Sequence, residues 1–277
     1  MIKNWILTGD THSRVSARIE KILHDSPELI PEETAIIILG DAGFNFFLNK
    51  TDGKQKHKTS ELGCVVYCVR GNHEERPENL GYPLVFDPEV QGEVYIEGAF
   101  PNIKYFKDGG VYNINGHRTL VIGGAYSVDK GYRLAAAGLT EATNEPKKSG
   151  WFKDELLTED EMSKIASDVF LQDFDFVFSH TCPLSWEPTD LFLSFIDQSS
   201  VNKSMEQWLD VIKADIHWGV WCFGHFHADR IERPRVQQFY VYGENIETIW
   251  NRWFNEKTIE NERWFRKSPN YYMEESK

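Results

Sequence analysis

The chain predicts an α/β fold in which buried strands end in polar loops. Three observations carry this. Ala35 to Leu39 and Cys64 to Val69 are continuous apolar runs, as expected of strands covered on both faces. Stretches with helical apolar spacing lie between several such runs. Each run is followed by a loop bearing Asp, Asn or His, and ligand sites in open α/β sheets lie at the carboxyl ends of strands.

Taken in order, Trp5 to Thr8 is a short strand ending in Gly9-Asp10-Thr11-His12. A helix follows, with Ser13 available as its cap and Val15, Ile19, Ile22 and Leu23 on one face. The unit recurs in Ala35 to Leu39 with Gly40-Asp41, and again in Cys64 to Val69 with Gly71-Asn72-His73. Pro77, Pro83, Pro88 and Pro101 then break Glu75 to Asp108 into loops and short elements. Asn115-Gly116 between Val111–Ile114 and Arg118–Ile122 predicts a tight hairpin. The Gly123 to Lys130 segment and the polar stretch through Lys148 are expected on the surface.

Thr158 and Glu161 form a capping box for a helix whose apolar stripe is Met162, Ile165, Ala166, Val169 and Phe170. Phe174 to Phe178 is a strand ending at Ser179-His180. A helix around Met205, Trp208, Leu209 and Ile212 leads to the strand Trp218 to Phe223, which ends in Gly224-His225-Phe226-His227. Phe239 to Tyr242 reads as a last strand. From Ile246 a Trp-rich tail places Trp250, Trp253 and Phe254 on a helical face and ends in frayed residues. The boundaries are thus a domain over residues 1–245 and a helical tail over 246–277 that is not a separate domain.

Composition narrows the function. Hydrophobic content of 41% with 14% aromatics describes a globular protein, and no run approaches the roughly 18 apolar residues of a membrane span. A formal charge of −13 disfavours a sequence-independent grip on nucleic acid. Only Met1 to Thr8 precede the first motif, so no cleavable leader is expected and a cytoplasmic location follows. Cys64, Cys68, Cys182 and Cys222 show no CxxC spacing and read as buried reduced thiols.

The loops together are more informative than any one of them. A lone histidine is usually a surface or hydrogen-bonded core residue, but here five strand-end loops carry Asp10 and His12, Asp41, Asn72 with His73, His180, and His225 with His227. Hard oxygen donors mixed with imidazoles, without thiolates, suit Mn²⁺, Fe, Zn²⁺ or Ni²⁺. One tetrahedral ion does not require so many ligands, whereas two ions about 3.5–4 Å apart would use the set.

In order, Gly9-Asp10-Thr11-His12, Gly40-Asp41, Gly71-Asn72-His73-Glu74, His180 and Gly224-His225-Phe226-His227 resemble the GDxH, GD, GNH[DE], H and GHxH pattern of calcineurin-like metallophosphoesterases. The resemblance spans residues 9 to 227. It implies a four-layer α/β/β/α sandwich of two mixed sheets and two metal ions, manganese favoured. Asp10, His12 and His227 would hold one ion; Asn72, His180 and His225 would hold the other, with Asp41 bridging and His73 unligated. Gly123 to Lys130 and Trp151 ahead of the Thr158–Glu161 helix also resemble a bacterial and phage group with a GGAYSxDK segment.

The departures from the family pattern are specific. Phe44 and Asn45 stand where the protein phosphatase branch has an Asp and an Arg, and Ser13 replaces the glycine of GDxHG. Arg76 matches the arginine of GNHExR and is a candidate phosphate fork, against the plainer reading of a solvated or Glu75-paired side chain. Arg70 is open to the same pair of readings. With Phe44 in place of an Asp, Glu74 or Asp129 is left to orient His73.

The chemistry implied is hydrolysis of phosphate esters, with hydroxide generated between two cations, in-line attack, and His73 protonating the leaving group. A phosphomonoesterase acting on a phosphorylated small molecule, nucleotide or phosphoprotein is favoured. A phosphodiesterase or nuclease, and a non-catalytic binding protein on the same fold, are the rivals.

Overall fold

The computed structural model describes residues 1–192, 198–233 and 235–255. The first sheet is built from β1 (Asn4–Thr8), β2 (Thr34–Ile38) and β3 (Val65–Cys68), which pair in parallel. β4 (Leu84–Asp87), β5 (Gly92–Ile96) and β6 (Ile103–Phe106) extend it, giving short strands within the proline-broken segment. The second sheet contains β7 (Gly110–Ile114) and β8 (His117–Ile122), joined through Asn115 and Gly116 at φ 53° and 89°, the signs a primed turn needs. It continues through β9 (Asp173–Ser179), β10 (His217–Phe223), β11 (Arg230–Arg233) and β12 (Val236–Gln238). With β13 (Glu244–Asn245) the sheet orders are β13-β1-β2-β3-β6-β5-β4 and β11-β12-β10-β9-β8-β7, both mixed.

Alternation along the strands builds the layers. Leu7, Ala35, Ile37 and Tyr67 from the first sheet meet Val121, Phe176, Phe178 and Val220 from the second in the central core. Their sequence neighbours Ile6, Ile36, Ile38 and Val66 point to the opposite face, against Val15, Ile19 and Ile22 of α1 (Val15–Asp25). α2 (Lys50–Ser60) lies beside α1. The outer face of the second sheet presents Leu120, Val177 and Trp221 to two further helices, met after the short α3 (Lys130–Ala136) and α4 (Pro146–Ser149). These are α5 (Glu159–Val169), opened by the reciprocal Thr158–Glu161 box, and α6 (Ser204–Asp215). The result is helix, sheet, sheet, helix. Each large apolar side chain so buried contributes about 1.5–3 kcal/mol.

Several expectations are corrected. Ser13 does not cap α1: it takes φ 68° and its hydroxyl donates to the Gly43 carbonyl at 3.0 Å, a left-handed position that explains why glycine suits it. The strand expected at 239–242 is not there: strands lie on either side of it, at Val236–Gln238 and Glu244–Asn245. The backbone N–H groups of Tyr240, Val241 and Tyr242 are taken instead by the Asp229 carboxylate, at 2.8 to 3.2 Å, which removes them from any ladder. Gly123, Gly124, Ala125 and Ser127 are buried, contrary to the surface placement, although much of the stretch beyond Lys130 is exposed.

The tail enters a helix, α7, over residues 246–255, which anchors Ile246 and Ile249 in the central core with Trp250 and Trp253 against it. Phe254 is exposed and falls off that face. The expected frayed end lies outside the described residues. All four cysteines are free and buried.

Candidate metal centre

The motif glycines allow strand ends from both sheets to converge. A β-carbon at Gly40, whose φ is 94°, would fall 2.0 Å from His180 Nδ1, and one at Gly71 would fall 2.0 Å from Asp41 Oδ1. Tight loops then aim the side chains inward. His12, Asp41, His225 and His227 all hold positive φ, at 43°, 49°, 67° and 52°. Such conformations cost about 1–3 kcal/mol each and persist where the surroundings over-determine them. Here cross-loop bonds do so: His12 N–H donates to the Asp41 carbonyl at 2.8 Å and Gly224 N–H to that of His180 at 3.0 Å.

Two groups of donors result. Asp10, His12 and His227 offer ligand atoms within 4.8 Å of one another, and so do Asp10, Asp41 and His180. His12 Nε2 and His227 Nε2 face each other at 2.8 Å, and Asp10 Oδ2 lies 3.2 Å from His227 Nε2. Asp41 spans the centre, with Oδ2 3.8 Å from His12 Nδ1 and Oδ1 3.6 Å from His180 Nε2. Asn72 Oδ1 is 2.9 Å from His180 Nε2, and the His225 ring packs edge-on to His180 with centroids 5.0 Å apart. Asp10 thus belongs to both groups, and Asp41 to the second.

The donor set fits a cation. Asp10 Oδ2 is buried with no hydrogen-bond donor aligned on it. The His180 Nδ1 sits 2.8 Å from the Leu39 carbonyl, a bond that assigns the proton to Nδ1 and turns the Nε2 lone pair toward Asp41 and Asn72. Asn72 Nδ2 donates to Ser127 Oγ at 2.8 Å, which orients its carbonyl oxygen inward.

Electrostatics follow from burial and proximity. Burial raises the Asp41 carboxyl, but the His73, His180 and His12 imidazoles outweigh it and leave its pKa lowered. Asp10 is likewise lowered against the cost of burial, chiefly by His227 and His180. Burial, assisted by His180, pushes His225 down to about 3. His227 is raised by its contact with Asp10. Glu74, enclosed and close to Asp41, is pushed up to about 7.

All seven expected ligands, Asp10, His12, Asp41, Asn72, His180, His225 and His227, come together here. His73 stands beside them, Nε2 4.0 Å from Asp41 Oδ2, with Nδ1 buried and unpartnered. Arg76 does not reach the cleft. Its guanidinium donates to the Asp154 and Leu156 carbonyls and to Glu161 Oε1 at 3.0, 2.8 and 2.6 Å, so the phosphate-fork reading gives way to a structural one. Arg70 is similarly held by Asp108 and the Glu155 carbonyl, at 2.7 and 2.8 Å.

Phe44 is wholly buried core, and Asn45 Oδ1 accepts from Lys56 Nζ at 2.8 Å, so neither departure position serves the centre. Glu74 Oε1 accepts the Gly71 N–H at 3.0 Å. Ser127 was not anticipated, and its only sequence signal was the GGAYSxDK segment. Arg18 was missed too: it braces the first loop by donating to Thr8 Oγ1 at 2.7 Å and to the Asp10 carbonyl at 3.3 Å.

Two mixed sheets face to face, with oxygen and imidazole donors at their strand ends, define a metal-binding α/β sandwich. The sequence profile of calcineurin-like phosphoesterases matches residues 5–229, and the chain belongs to that family. The family supports a metal-dependent phosphoester hydrolase. No curated protein sequence matches the chain. One crystal structure aligns over 90% of this chain and 96% of its own at 12% identity and a TM-score of 0.43, too distant a likeness to argue from. Among the described residues no helix is long and apolar enough to cross a membrane.

Proposed function

We propose that the protein is a phosphomonoesterase that works with two metal ions, manganese favoured, and His73 as general acid. The observation that carries this reading is the placement of His73: it lines the same cleft as Asp41, Asn72, His225 and His227, with Nε2 4.0 Å from Asp41 Oδ2 and Nδ1 buried without a partner. Asp10, His12 and His227 would hold one ion and Asn72, His180 and His225 the other, with Asp41 available to both. When bound, such a pair supplies a nucleophile at neutral pH and takes up phosphoryl charge.

The remaining work falls to side chains. Asp41 Oδ1 accepts the His73 N–H at 2.9 Å, tying the backbone of the acid to the carboxylate between the ions. Burial lowers the pKa of His73 more than the nearby Asp41 raises it, which makes the charged imidazole a stronger acid but the minor form at neutral pH. Neither expected orienting group bonds the His73 ring: Asp129 Oδ2 accepts Arg133 Nε at 2.7 Å, Glu74 Oε1 accepts the Gly71 N–H, and Nδ1 of the ring has no partner. The acidic chain argues against long polymeric diesters. With Mn²⁺ supplied, turnover of an aryl phosphate should exceed that of an aryl phosphodiester. The reverse order would favour the diesterase reading, and no turnover of either would leave a binding protein.

A further inference from the structure

The ligand cleft encloses about 300 Å³, and beside its metal-facing side chains it is lined by groups of a different chemistry. Phe192 and Phe226 stack there with centroids 6.1 Å apart and planes 24° from parallel. Tyr126, Leu191 and Val201 line the same space. Among the described lining residues the lone lysine or arginine is Lys203, and it is neutralised: Nζ is 2.7 Å from Glu187 and lies 4.9 Å over the Phe192 ring. Asp129, Glu187 and Glu206 make the lining acidic. Among the described residues, a second phosphate or a polyanion finds no free cation in it.

Glu206 gives the recess a directional group. It is 4% exposed, its Oε1 accepts the Thr181 hydroxyl at 2.8 Å, and its Oε2 has no partner. A buried acceptor left unpaired is costly, and a ligand N–H relieves that cost.

We propose that this recess is the leaving-group subsite and receives a flat, uncharged aromatic ring bearing an amino group, the chemistry of a nucleobase, so that the substrate is a nucleoside monophosphate. The proposal rests on the phosphoesterase reading for the fate of the phosphate, but not for the fit of the base. Aromatic platforms hold bases through their faces, and Glu206 adds selection for a donor on the edge.

The test separates the two readings. Adenosine, guanosine and cytidine, which carry no phosphate, are titrated into the metal-free full-length protein by calorimetry, with purine riboside as the amino-free control. Saturable binding of at least one is expected, with Phe192→Ala raising its Kd by about five- to a hundredfold, the range for loss of a stacking partner. Purine riboside should bind more weakly than adenosine, a comparison that needs no variant and so no assumption about folding.

With Mn²⁺ present, kcat/KM for the matching monophosphate should exceed that for glycerol phosphate, and the ratio should fall toward one in Phe192→Ala. No nucleoside binding, or binding indifferent to Phe192, overturns the subsite even if both esters are hydrolysed. Nucleoside binding with neither ester hydrolysed would uphold the subsite and overturn the phosphoesterase reading instead.

Discussion

Ser127→Ala isolates the contribution of one buried hydrogen bond to the centre. Ser127 and Asn72 are each 1% exposed, and the 2.8 Å bond from Asn72 Nδ2 to Ser127 Oγ decides which end of the carboxamide faces inward. Without the hydroxyl the amide nitrogen keeps only a 3.3 Å approach to His73 Nε2. Leaving a buried donor unmet costs about 1–3 kcal/mol, so the metal-free protein should unfold more easily by that amount in urea. The carbonyl oxygen is then free to turn from the position 2.9 Å from His180 Nε2. Loss of a partner that orients a ligand typically weakens metal affinity by about 10- to 100-fold. Because Asn72 serves one of the two proposed ions, calorimetric titration with Mn²⁺ should show one site weakened and the other preserved. Equal weakening of both, or of neither, would refute the orienting role.

Chelation with confirmed metal loss should lower the melting midpoint: saturating an ion at a hundredfold excess over its Kd is worth about 2.7 kcal/mol, roughly 5–10 °C for a domain of this size. An unchanged midpoint would show that the centre adds nothing to stability. Asp41→Asn, at the position proposed to serve both ions, should lower metal content measured by elemental analysis after Mn²⁺ loading, and Asp10→Asn, whose carboxylate belongs to both ligand groups, should lower it at least as far. His73→Asn should retain metal while turnover of an alkyl phosphate falls about 10²–10⁴-fold and that of a nitrophenyl phosphate much less. Equal losses would point to phosphate positioning.

The pH dependence turns on His227. Its pKa lies above the usual 6.5, so in the metal-free protein its contact with Asp10 stabilises the fold fully below 6.5 and that contribution is lost as pH rises through the raised value. Metal must displace the same proton, so its affinity should weaken about tenfold per unit as pH falls below that raised value. Calorimetry in two buffers of different ionisation enthalpy at pH 6 should find about one proton released per metal at this site. None released would contradict the assignment.

The layers and the convergence of the candidate ligand residues were legible because each rests on local pattern. Ala35 to Leu39 announces a strand by continuous apolarity, and Asp41 announces its loop by following it. What escaped depended on contacts between distant segments. Nothing local in Arg76 reveals that carbonyls near residues 154–156 surround its guanidinium, and nothing in Tyr240 to Tyr242 reveals that Asp229 takes their N–H groups. The burial of Gly123 to Ser127 was hidden for a related reason: glycine and serine look like surface punctuation unless a close approach, such as Gly124 against Arg70 and Glu155, is known.

The division of the ligands between the sheets links stability to chemistry. β1, β2 and β3 deliver Asp10, His12, Asp41 and Asn72, while β9 and β10 deliver His180, His225 and His227. Each proposed ion therefore draws on both sheets: Asp10 and His12 with His227 for one, Asn72 with His180 and His225 for the other. The buried Asp10 and Asp41 carboxylates lie close together, offset by imidazoles and by the His225 and His73 backbone N–H groups. A cation between them would remove that repulsion and brace the sheets at the end where four ligand residues hold left-handed backbone. The strain at His12, Asp41, His225 and His227 is thus carried by the fold's own cross-loop hydrogen bonds, which hold the donors in place.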